Sequence, residues 1–274
     1  AGAEHVDCAG RILMPGLVNA HLHPDLHVLK GALEERGLHD WGGAERYNAA
    51  VEFLGTAEGA WIQRASIRAS LAEAALSGTT CIATYGVTTG AEHACATALR
   101  ELGLRGAVTI RDIDFVPVTD SGTAWDRDVP GMYRLHAEER LDPPELRAAA
   151  AAHARGEHIV MHAAETLERL AIVQAQHGTT TVRLLARYGL LSPRTLLSHA
   201  VHVDAEEIRL LARHGVPIVV SPAAEMKLAD GIPPVQDMHR EGVVVALGTD
   251  AAVCNNATDM FLEMRLLGLS QKLR

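Results

Sequence analysis

Histidines and carboxylates recur in this 274-residue sequence at the points where short apolar runs stop. The first such run ends Asn19-Ala20-His21-Leu22-His23, and a later one ends Met161-His162, with Glu165 three residues beyond. Ser198-His199 closes another, with His202 shortly after, and Gly248-Thr249-Asp250 closes the last. Alternate residues of a strand point the same way, so His21 and His23 face together. Two imidazoles so placed can share one cation at about 2.0–2.1 Å. A lone His-x-His is equally well a plain strand–loop junction; the wider set decides between them. Three imidazoles and one carboxylate (His21, His23, His162 and Asp250) suit one divalent ion, zinc first, with iron and manganese as alternatives. Such an ion lowers the pKa of its bound water from about 15.7 towards 7. Glu165 can then take a proton from that water and deliver it to a leaving nitrogen. His199 reads as a neighbour of the nucleophile and substrate rather than a further ligand. His202 reads as a substrate contact or as packing.

These residues need elements that bring them together. Apolar runs predict strands over Ile12–Ala20, Thr80–Tyr85, Arg105–Ile110, Met132–His136, His158–His162, Thr195–Ala200, Val216–Ser221 and Val243–Gly248. Helical periodicity predicts helices over Ala57–Leu76, Ala91–Leu102, Pro144–Ala154, Leu167–Tyr188, Ala205–His214 and Asp259–Leu273. The strands are apolar throughout, as in a parallel sheet covered on both faces. Eight strands alternating with helices fit a (β/α)8 barrel, and no GxGxxG follows the first strand to favour a dinucleotide-binding sheet. In a barrel the C-terminal strand ends converge on one mouth. There, four strand ends carrying His or Asp become a single site.

Composition narrows the partners. A net charge of −9 without a basic run argues against nucleic acid and anionic membrane surfaces. No apolar run approaches the roughly 20 residues that span a bilayer, and no secretory signal is visible. Four widely separated cysteines read as free thiols, which places the chain in a reducing cytoplasm. Two stretches lack a period: Asp112–Gly131, read as an active-site loop, and His23–Phe53, which carries His27, His39 and Trp41. Trp41 and Trp125 are candidates to stack on a flat ring, and Arg111, Arg127 and Arg140 to meet an anionic group or solvent. The chain lacks an initiator Met and stops within a helical pattern, so a trimmed or partial polypeptide is expected.

PGLVNAHLH, MHAAET, LLSHAVHVD and ALGTDAA, in this order, resemble the amidohydrolase superfamily. The closest branch contains S-adenosylhomocysteine and methylthioadenosine deaminases and the triazine chlorohydrolases. SPAAEMKLADGIPPV and GVVVALGTDAAVCNNATDMFLEMRL extend the likeness through the last third of the barrel. The resemblance implies a mononuclear site on His21, His23, His162 and Asp250, with Glu165 as proton shuttle. It also implies that His199 polarises the group under attack and that Asp250 accepts a proton from the water. Substrate contacts implied or suspected are His136, His202, Trp41 and Glu225. The turn Glu138-Glu139-Arg140 and Glu225 depart from the deaminase pattern, so the pocket is expected to be retuned away from S-adenosylhomocysteine. The resemblance further implies a homodimer and a flanking β-sandwich, of which residues 1–10 read as a remnant strand and 11–274 as the barrel. The expected function is hydrolytic deamination of an aminated purine, pterin, pyrimidine or triazine. Hydrolysis of a C–Cl bond or cyclic amide is the alternative, and a catalytically silent binding protein or inactive fragment a lesser one.

Overall fold

Each of the eight apolar runs forms one strand of a single parallel sheet in the computed structural model, which describes residues 5, 7–34, 36–40, 45–110, 131–135 and 137–274. In chain order these are β1 (Leu17–Leu22), β2 (Thr79–Thr84), β3 (Arg105–Ile110), β4 (Gly131–Arg134), β5 (Ile159–Ala163), β6 (Thr195–His199), β7 (Ile218–Val220) and β8 (Val245–Leu247). Sequence neighbours are spatial neighbours from β1 to β8. The last strand returns to the first: the amides of Thr249 and Asp250 both donate to the carbonyl of His21, at 3.1 and 2.9 Å. Asn19 stitches the same seam, its Oδ1 accepting from the Thr249 amide at 3.1 Å and its Nδ2 donating to Thr249 Oγ1 at 2.7 Å. The architecture is the (β/α)8 barrel that the alternation predicts.

The helices are α1 (Glu45–Leu54), α2 (Ala60–Leu76), α3 (Ala91–Glu101), α4 (Pro143–Ala154), α5 (Leu167–His177), α6 (Thr181–Arg187) and α7 (Ala205–His214). After β7 come α8 (Pro222–Lys227) and α9 (Val235–Arg240), and after β8 come α10 (Ala252–Asn255) and α11 (Met260–Ser270). Their starts follow from capping chemistry: Asp204 accepts from the Glu206 and Glu207 amides, and the Glu207 side chain accepts from the Asp204 amide. The expected single helix Leu167–Tyr188 is two helices. Gly178 takes the left-handed conformation (φ 64°) that ends α5, and Thr180 opens α6. β1 begins at Leu17 rather than Ile12, and Ile12 and Leu13 stand 92% and 87% exposed outside the sheet.

Two apolar cores hold the wall. One, around β4 to β8, buries Leu135, Leu146, Ile159, Met161, Leu185 and Leu197; the other, around β1 to β3, buries Leu22, Ile67, Leu71, Ile82 and Leu99. A buried side chain of this size contributes about 1.5–3 kcal/mol, enough in sum to carry polar groups at the rim. Among the described residues no helix is long and apolar enough to cross a membrane. Trp41, Trp125, Arg111, Arg127 and His136 lie outside the described residues, as does nearly all of the irregular stretch 112–131.

Candidate active site

His21 and His23 stand two residues apart on β1 and at its end, and their rings turn into the mouth of the barrel. The Nε2 atoms of His21, His23 and His162 lie 3.1, 3.1 and 3.3 Å from one another. Asp250 Oδ1 lies 3.2 Å from His23 Nε2 and 3.8 Å from His21 Nε2. A tetrahedron with metal–nitrogen arms of 2.0–2.1 Å has edges of about 3.3–3.4 Å, so the spacing fits one ion. Protonation favours it as well. Burial, with His23 adding to it, holds His21 well below the usual imidazole range, and burial with His21 does the same for His162. Burial alone would raise Asp250, but the bond from His23 and the nearby imidazoles hold it well below the usual carboxylate range. Neutral imidazoles and an ionised carboxylate are the forms that ligate a cation.

Neighbours fix the rings. His21 Nδ1 meets Ser198 Oγ at 3.1 Å, and the Tyr85 ring packs edge-on against His21, His23 and His162 with centroids 4.5–5.4 Å away. Burial pushes the Tyr85 hydroxyl up to about 12, so it stays a donor, and it serves the Leu135 carbonyl at 3.1 Å. Gly248 lets the seam close: a Cβ there would stand 2.6 Å from His21 Cβ and 2.8 Å from its carbonyl oxygen. Beyond β5, β6 and β8 the chain turns through left-handed conformations at Ala164 (φ 49°), His199 (74°), Ala200 (50°) and Asp250 (59°). L-residues resist that region, and such strain concentrates at functional sites.

Glu165 and His199 flank the donor set. Glu165 Oε1 lies 3.7 Å from His199 Nε2, and its Oε2 pairs with the Arg169 guanidinium. Asp250 Oδ2 lies 3.8 Å from His199 Nε2. Burial would push His199 down, but Glu165, Glu225 and Asp250 together raise it to about 10. The same geometry places His199 close enough to His21 and His162 to count with them as a metal-binding trio. Glu225 is fully buried behind His199, its Oε1 accepting from the Ser221 amide at 2.8 Å and lying 3.5 Å from His199 Nδ1. It stands behind that ring and does not line the cavity over the site. His202 bonds through Nε2 to the Asp230 carbonyl at 2.8 Å, bracing the loop after α8.

A cavity of about 430 Å³ opens over the site, within the range of small-ligand pockets. Its lining mixes Leu26, Leu38, Tyr47 and Val87 with Glu139 and Arg169. The sequence reading missed Arg169, although its i,i+4 spacing from Glu165 on a helix start is the visible signal. It also missed Asp230, a 6%-exposed carboxyl that burial, with Glu165 nearby, pushes up to about 8.

The sequence pattern of the Amidohydrolase family matches residues 12–274. The chain belongs to that family. Among curated relatives it is 36% identical, over its whole length, to a protein of Halobacterium salinarum named 5-methylthioadenosine/S-adenosylhomocysteine deaminase. It is 32% identical, over 97% of its length, to one of the same name from Carboxydothermus hydrogenoformans. The chain spans 65% and 63% of these relatives' lengths. A solved adenosine deaminase of Xanthomonas campestris with bound zinc superposes at TM-score 0.83 and 26% identity, over 95% of this chain and 61% of that one. An atrazine chlorohydrolase from Arthrobacter aurescens superposes equally well (TM-score 0.83, 22% identity, 93% of this chain and 64% of that one), a likeness of fold.

Proposed function

We propose that this chain is the catalytic barrel of a metal-dependent aminohydrolase acting on an aminated nitrogen heterocycle, with one zinc ion on His21, His23, His162 and Asp250. The observation that carries the reading is the meeting of three imidazole Nε2 atoms within 3.1–3.3 Å, beside Asp250, Glu165 and His199, under one cavity. The names of the relatives and the zinc in the adenosine deaminase support it. A zinc ion here supplies Lewis acidity and brings a water towards neutral pKa.

The chain's own residues supply the rest. Asp250, held ionised, accepts a proton from the attacking water through the carboxylate oxygen that faces His199. His199, set among Glu165, Glu225 and Asp250, donates to the oxygen on which negative charge develops as the ring carbon is attacked. Glu165 Oε1 takes up the water's other proton and delivers it to the departing nitrogen, so that ammonia rather than amide ion leaves.

Metal analysis of the purified protein is expected to give about one zinc per chain. Ammonia release is then measured across a heterocycle panel that begins with the adenosine-type compounds for which the relatives are named. Glu165→Gln is expected to lower it by about 10²–10⁴-fold. A chloride leaving group needs no proton, so the same substitution spares a dechlorination, which separates the C–Cl alternative. Absence of metal, or no ammonia from any heterocycle by the metal-loaded protein, overturns the proposal.

A further inference from the structure

The charged turn Glu138–Arg140 departs from the deaminase pattern in sequence, and the mechanism above leaves it without a role. In space its two glutamates approach Glu165 from different directions. Glu138 is fully buried, and its carboxylate accepts from two successive amides: Ala164 N at 2.8 Å through Oε2 and Glu165 N at 3.1 Å through Oε1. The Thr181 hydroxyl donates to Oε2 as well. Glu139 reaches the other end of the same residue indirectly. Its Oε2 lies 3.2 Å from Arg169 Nε, while Arg169 Nη1 pairs with Glu165 Oε2.

A buried carboxylate is a costly acceptor for two backbone amides. Its placement coincides with Ala164, whose φ of 49° a non-glycine residue keeps only where its surroundings over-determine it. The carbonyls on either side are tied too, Ala163 O accepting from Ala200 N and Ala164 O from His202 N, both at 2.9 Å. With the backbone pinned and Oε2 engaged by Arg169, only Oε1 of Glu165 is left facing His199 and the reacting centre.

We propose that Glu138 and Glu139 are positioning residues that mount Glu165 at two points, its backbone and one carboxylate oxygen, so that the other oxygen is aimed at the departing group. The inference rests on the aminohydrolase reading of the site. Neither glutamate touches the departing group; both act through Glu165.

The test compares Glu138→Gln and Glu139→Gln with the parent, all metal-loaded. Gln at 138 sets an amide donor against one backbone N–H, which unpins the turn. Gln at 139 keeps the shape but removes the charge that holds Arg169. Each is expected to lower kcat for ammonia release by about tenfold or more with KM nearly kept, the pattern of a misdirected proton donor. On rings whose departing group runs from an amine to chloride, the loss is expected to grow with the basicity of that group. Amide hydrogen exchange at Ala164 and Glu165 is expected to speed up in Glu138→Gln while zinc content stays at the parent level. Should that variant fail to fold, Glu139→Gln, whose side chain is 22% exposed, carries the kinetic test alone. Equal losses for every departing group, or no loss, overturn the mount while leaving the aminohydrolase reading intact. A metal-loaded parent inert on the whole panel overturns that reading and this inference with it.

Discussion

The two halves of the barrel do different work at the mouth. From β1 to β4 the strand ends contribute the His21–His23 pair and then cavity wall, with Tyr85 and Arg134 stacked at 5.2 Å. After β5, β6 and β8 the chain leaves its strands through left-handed residues, and these turns present Glu165, His199 and Asp250. Buried glutamates brace that second half. Glu138 holds the turn after β5, Glu225 lies behind His199, and Glu263 accepts from Ala223 N at 3.0 Å and from Asn255 Nδ2 at 2.6 Å. The proposed reacting groups sit on strained backbone tied down by carboxylates, whereas the first half contributes apolar cavity wall such as Leu26, Leu38 and Val87. Changes to the second half should therefore show in kcat or stability, and changes to the apolar cavity wall of the first half in KM.

The sharpest way to break this division is at the seam that joins the halves. Gly248→Ala forces its new Cβ against His21, so β8 must retreat from β1 and carry Asp250 away from the imidazoles. Overpacking of this kind costs about 1–3 kcal/mol. Melting is expected at lower temperature, and zinc titration is expected to give weaker binding. Parent-like values for both would mean the halves do not depend on that approach.

Next in size is a pH effect in the second half. Burial raises Glu263 from its ordinary 4.5 to about 7 in the folded chain. Between those values the folded state binds the extra proton, so stability falls as pH rises through the window, and the penalty is complete above about 7. Glu263→Gln removes that titration. Its stability relative to the parent is expected to improve by roughly 1–3 kcal/mol from pH 4.5 to 7, read by denaturant melts across the range. A pH-independent difference would show that Glu263 titrates normally.

The smallest expected effect lies in the first half. Leu38 lines the cavity from the loop after β1. Leu38→Ala is expected to raise KM for an apolar-substituted heterocycle by about tenfold with kcat nearly kept. A fall in kcat instead would erase the distinction between wall and reacting groups.

The sequence made the strands and the donor positions legible because both rest on local signals. Apolar runs predict all eight strands, and His-x-His on one of them predicts a shared side. What it hid depends on contacts between distant segments. Glu138 meets Ala164 and Glu165 across 26 and 27 positions, which no spacing rule covers. Glu225 was expected against substrate from the resemblance; it lies in the first turn of α8 and backs His199, a contact between segments that no spacing rule covers. The helix break at Gly178 was hidden for another reason: leucines at helical spacing continue on both sides of it. α1, within the segment read as irregular, carries a weak apolar face with only Leu54 buried.

The closure of β8 on β1 has a consequence for how the protein comes to exist. Asn19 and Thr249, which pin that closure, are separated by 230 positions. Contacts of such long range form late, since the loop between them must first be ordered. A nascent chain carries His21 and His23 long before Asp250, and the proposed donors come together only when β8 docks. On the proposed site, capture of an ion would be an end-point of folding, and metal content would double as a count of finished molecules.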